Sequence, residues 1–104
     1  MIHDTQRVET LRNRAKAELE RVSRLQARIS KGELPELTIA KNQIGDIEDF
    51  FLSQLSIETR TPQEEALWLN FAERMLGIWV IRLNAIEEQF NRYGTAYIEI
   101  IGGD

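Results

Sequence analysis

Residues 61–94, TPQEEALWLNFAERMLGIWVIRLNAIEEQFNRYG, decide the fold. Thr61-Pro62-Gln63-Glu64 opens the stretch as a capping box, in which a hydroxyl takes an orphan first-turn N–H and proline sits where its missing N–H costs nothing. From there Trp68, Phe71, Ala72, Met75, Ile78, Trp79, Leu83, Ile86 and Phe90 recur on the helical period. Leu67, Leu69, Leu76, Val80 and Ile81 widen that apolar surface. The polar positions, chiefly Asn70, Glu73, Arg74, Gly77, Asn84, Glu87 and Glu88, form a narrow stripe, which implies a helix covered on several sides. Tyr93-Gly94 marks the stop, so a helix over 62–93 would be roughly 48 Å long at 1.5 Å per residue.

Two further helices precede it. Asp4 and Thr5 can cap a helix near 4–31 whose apolar residues fall on a seven-residue grid, with Val8, Ala15, Val22 and Ile29 at a, and Leu11 and Leu25 at d. Glu18 occupies the d position between them, with Leu19 beside it. This seam is expected to belong to an antiparallel bundle rather than a free-standing coiled coil. After Gly32, Pro35 suits a first helical turn. Leu37, Ala40, Ile44, Ile47, Phe51 and Leu55 then mark a second helix near 36–57. Gly45 lies inside it, a position where a close packing contact would explain the small residue. Short connections make neighbouring helices antiparallel, giving an all-α bundle over residues 1–94.

The net charge of −4 conceals an asymmetry. Residues 7–31 carry eight basic and three acidic side chains, whereas everything from Gly32 onward carries five basic and thirteen acidic. Arg7, Arg14, Arg21 and Arg28 recur at g, one per heptad along one edge. A parallel self-pairing would set them against Arg12, Leu19 and Gln26 at e, none of them acidic, so the complement must be another segment or another molecule. Two readings of the edge stay open here: a flank that covers the seam with its aliphatic stems, or a contact for an anion or a protein partner.

Beyond Gly94 the pattern changes to Thr95-Ala96-Tyr97-Ile98-Glu99-Ile100-Ile101, rich in β-branched and aromatic residues. Residues 95–104 read as a short extended tail. Nothing else in the chain reads as a strand, so Tyr97, Ile98 and Ile100 either add to a partner or second copy or lie against the bundle.

Catalytic signals are absent from the sequence. There is no glycine-rich phosphate loop and no G-x-S-x-G or H-E-x-x-H motif, and the lone histidine is His3. With no cysteine and one histidine, thiolate sites, disulfides and multi-histidine zinc sites are excluded within one chain. Asp46, Glu48 and Asp49 form the densest carboxylate cluster, yet they lack the spacing of a calcium loop, and a solvated or paired face is expected. No catalytic residue, cofactor or metal is therefore assigned. Trp68 and Trp79 are candidate interface anchors, although aromatic residues at helical spacing commonly fill cores.

The 42% hydrophobic and 29% charged residues suit a globular domain, and the longest apolar run, Ile78 to Ile81, is too short to span a bilayer. Without a signal-like N-terminus, a cytoplasmic protein without membrane partners is expected. The favoured function is a non-catalytic interaction or assembly protein with a protein partner, and a homo-oligomer. Small acidic helical chains of this kind, which bind and block or scaffold a partner, are frequent among phage and mobile-element accessory proteins. The alternative is an anion-binding module whose arginine edge holds nucleic acid or a phosphorylated nucleotide between subunits. Overall acidity opposes it, as does the absence of Trp, Tyr and Phe from residues 1–49.

Overall fold

The Asp4 carboxylate accepts the Arg7 N–H at 3.0 Å and so starts the first helix, α1, Thr5–Ala27. In the computed structural model, which describes residues 4–29, 32–58 and 61–93, α1 is the first of three helical rods. The second is built from α2, Pro35–Asp46, a π-helical turn, Ile47–Phe51, and α3, Leu52–Glu58. The third is α4, Pro62–Tyr93, whose span matches the one read from the capping box. There the Thr61 hydroxyl accepts the Glu64 N–H at 3.1 Å. Gly32, at φ 66°, takes the left-handed conformation that the turn between the first two rods requires.

Consecutive rods run antiparallel, so α1 and α4 run in the same direction. Three side-chain contacts fix this: Arg7 reaches Asn70, Arg21 reaches Asn84 and Arg28 reaches Asn91, a constant sequence separation of 63. Buried Glu65 ties the two N-terminal ends together, its Oε1 accepting the Asp4 N–H at 2.9 Å. Both helix N-termini present partial positive charge there, which favours a carboxylate.

The core runs the length of the bundle. Val8, Leu11, Ala15, Val22 and Leu25 of α1 are buried, as the seven-residue grid expects, and Ile29 and Leu19 pack at its edge. They meet Leu37, Ala40 and Ile44 of α2, and Leu69, Ala72, Leu76, Trp79, Leu83, Ile86 and Phe90 of α4. The molecule measures 50 × 19 × 18 Å, with a radius of gyration of 16.1 Å against roughly 13 Å for a compact domain of this length. Such a rod leaves a large outer surface on every helix. Among the described residues there is no strand, and no helix is long and apolar enough to cross a membrane. The tail expected over 95–104 lies outside the described residues, and with it Tyr97, Ile98 and Ile100.

Two expectations for the second rod need correction. Stepping by three and four puts Phe51 on the buried face, but the π turn inserts a residue, so burial passes from Ile47 to Leu52 and Leu55. Phe51 is instead half-buried at the bundle edge, with its ring 5.0 Å from Trp68 and 5.8 Å from Phe71. Gly45, for its part, serves no packing contact, since a Cβ there would meet nothing within 4 Å. Mid-helix glycine costs about 1 kcal/mol against alanine. Gly45→Ala should therefore raise the free energy of unfolding, measured by guanidinium titration, by about 0.5–1 kcal/mol. A loss of stability would show that the glycine is structurally required.

Candidate functional site

The arginine edge of α1 faces α4. Arg7 donates from Nη2 to Asn70 and to Glu73, and from Nε to Glu73 at 3.5 Å. Arg21, whose side chain is only 13% exposed, donates from Nη1 to Asn84 at 2.5 Å and to Glu87 at 3.2 Å. Its Nη2 reaches Glu18 on its own helix and the Val80 carbonyl of α4 at 3.3 Å. Glu18, the carboxylate that interrupts the apolar seam at d, is thus neutralised where it sits. Arg28 donates to Asn91 at 3.0 Å, and its guanidinium lies 5.3 Å from the centre of the Phe90 ring. The hydrogen bond from Arg7 to Glu73 raises the guanidinium pKa above its usual value, so Arg7 stays charged wherever the protein folds.

The ladder repeats every seven residues on both helices. Opposite Arg7, Arg21 and Arg28 stand Asn70, Asn84 and Asn91, and one turn further on Glu73 and Glu87 serve the first two. The rung opposite Arg14 would fall at Gly77 and Val80, which offer no side-chain acceptor, and Arg14 is exposed. The edge therefore divides into three arginines that meet acceptors on α4, of which Arg28 is exposed, and Arg14, which meets none. Their complement was legible in the sequence, because Asn70, Asn84 and Asn91 follow the same seven-residue spacing as the arginines.

The polar stripe of α4 is consequently not its whole solvent face. Asn70, Glu73, Asn84 and Glu87 bond to α1, and the outward face mixes Arg74, Glu88 and Arg92 with large apolar side chains: Leu67 is 68% exposed, Phe71 56%, Ile78 40% and Ile81 71%. The structure leaves the cover expected for this helix incomplete. These residues lie at alternating steps of four and three, with Arg74 between Phe71 and Ile78 and Ala85 after Ile81, the spacing of a helix-packing seam. Leu67 and Phe71 join Phe51 and Trp68 in a shallow apolar depression at one end.

The two candidate tryptophans separate. Trp68 is half-buried and belongs to this depression, whereas Trp79 is 5% exposed and is a core residue, with the Arg82 guanidinium stacked 4.8 Å from its ring. As an interface anchor Trp79 is corrected to a packing role. In the carboxylate cluster, Asp46 and Asp49 are exposed and Glu48 turns to Lys16 at 3.8 Å. Among the described residues no three His, Asp or Glu side chains are grouped to hold a metal ion.

Comparison with protein-family models, with curated proteins and with solved structures finds nothing that matches this chain.

The two kinds of arginine should separate in unfolding experiments. Arg21→Ala removes a largely buried cation that holds two carboxylates and should cost about 2–3 kcal/mol. Arg14→Ala should stay within about 0.5 kcal/mol of the parent, as surface substitutions do. Equal, small losses at both positions would mean that the ladder contributes nothing to stability.

Proposed function

We propose that this chain is a non-catalytic helical interaction protein, which acts by seating the outer face of α4 against a protein partner and so blocking or scaffolding it. The observation that carries this reading is the run of Leu67, Phe71, Ile78 and Ile81 along the solvent side of α4, where Arg74 is the one charged residue between them on the seam, while Asn70, Glu73, Asn84 and Glu87 bond to α1. A soluble helix ordinarily presents the opposite arrangement. Contiguous exposed apolar surface of this kind marks interaction sites. The aromatic group of Phe51, Trp68 and Phe71 adds the side-chain types that dominate interface energetics.

The anion-binding alternative has less support. A nucleic-acid phosphate competing for Arg7 or Arg21 would have to displace Glu73 or Glu87, which leaves Arg14 and Arg28, the latter hydrogen-bonded to Asn91, as the exposed members of the edge without an ion pair among the described residues. Two exposed arginines on this edge per chain, in an acidic protein, are a weak electrostatic footprint.

The test is a pull-down from cells of the source organism, using the immobilised parent chain beside Phe71→Glu and Arg14→Glu variants, with mass spectrometry of the protein and nucleic-acid fractions. A defined protein should be retained by the parent and by Arg14→Glu and lost with Phe71→Glu. Recovery of nucleic acid that depends on Arg14, and is indifferent to Phe71, would overturn the reading in favour of the anion-binding module.

A further inference from the structure

The outer face of α4 is self-complementary, and we infer that its occupant is a second copy of this chain, packed with its α4 antiparallel to the first about a two-fold axis close to Gly77. This inference rests on the interaction reading above and names its partner.

Charge decides the orientation. Along the outward seam the sequence runs Glu64, Leu67, Phe71, Arg74, Ile78, Ile81, Ala85, Glu88 and Arg92. Parallel, in-register pairing would bring Glu64, Arg74, Glu88 and Arg92 each against its own copy, four like-charge contacts on one seam. Antiparallel pairing centred between Arg74 and Ile78 sets Leu67 opposite the second copy's Ala85, Phe71 opposite its Ile81 and Arg74 opposite its Ile78. Every exposed apolar side chain of the face is then covered along a seam of about 27 Å. The guanidinium of Arg74 can lie along the apolar rim and reach water from there. The two symmetry-related like-charge contacts, each of Glu64 with the other copy's Glu88, fall at the seam ends, where Glu88 already holds Arg92 at 3.0 Å.

The flanking positions agree with this register. On one side of the seam Asn70 meets the second copy's Asn84 and Gly77 meets its own copy, and on the other Met75 meets Met75. None of these pairs places like charges together. Gly77 gains an explanation that its own chain does not supply, because a Cβ there would meet nothing within 4 Å. At the crossing point a glycine lets two backbones approach closely.

The chain has no cysteine, so introduced thiols report pairing unambiguously. Full-length Phe71→Cys and Ile81→Cys chains, mixed and oxidised, should form a mixed disulfide that neither variant forms alone. Leu67→Cys alone should not cross-link, since antiparallel packing holds its two copies about 27 Å apart. In sedimentation the parent should run at twice its 12.1 kDa mass in the micromolar range. Ile81→Glu should weaken association by at least about 100-fold with its helical spectrum unchanged, because the residue is exposed in the single chain. A parent that stays at 12.1 kDa, a mixture that fails to cross-link, or self-cross-linking of Leu67→Cys overturns the inference. A monomeric parent that still captures a different protein through Phe71 overturns only this inference and leaves the interaction reading standing.

Discussion

Arg21 is the residue on which the arrangement of the three rods turns. It sits in the middle of α1, almost covered, and gathers Glu18 from its own helix together with Asn84, Glu87 and a backbone carbonyl from α4. Burying a guanidinium is tolerable only where its charge is compensated, and here Nη1 and Nη2 find acceptors on α1 and α4 while the buried Nε has no partner. Sliding α4 by one residue would turn Asn84 and Glu87 off the contact and leave Arg21 with Glu18 of its own helix as its carboxylate partner. The same slip would turn Leu76, Leu83 and Phe90 away from the core. Register along this bundle is therefore set by its polar edge and its apolar core together.

That constraint has a consequence on the far side of α4. With Asn70, Glu73, Asn84 and Glu87 bonded to α1, the water side of the helix keeps Arg74, Glu88 and Arg92 but also receives Leu67, Phe71, Ile78 and Ile81, carried outward by the helical period. The exposed face is thus a product of the same geometry that fixes the fold. The π-helical turn contributes at one end, since its extra residue moves Phe51 off the core and against Trp68 and Phe71. Folding and recognition draw on opposite sides of one helix, so the two can be altered separately by substitution.

Much of this was legible in the sequence, and the parts that were not have identifiable causes. The span of α4 follows from Thr61, Pro62 and the Tyr93-Gly94 stop, and the buried residues of α1 follow from its seven-residue grid. The π turn was hidden because Phe51 and Leu52 are both apolar, so periodicity cannot say which of them faces the core. The arginine edge was visible as a stripe, and its complement left a signal in the seven-residue spacing of Asn70, Asn84 and Asn91, although polar residues on a helix ordinarily face solvent. For the same reason, the outward direction of Leu67, Phe71, Ile78 and Ile81 could not be read from residue type. Gly45 looks like a packing glycine in the sequence, yet a Cβ there would meet nothing within 4 Å.

The central claim is that the arginine edge is consumed within the chain, by a parallel pairing of α1 with α4. It is tested most directly by a double-mutant cycle on Arg21 and Glu87, with the free energy of unfolding measured for the parent, Arg21→Ala, Glu87→Ala and the double variant. The account predicts a coupling of about 1 kcal/mol or more, the signature of groups that share one hydrogen-bond network. Additivity within about 0.3 kcal/mol would contradict it, because Arg21 would then be independent of α4 and available to an external anion.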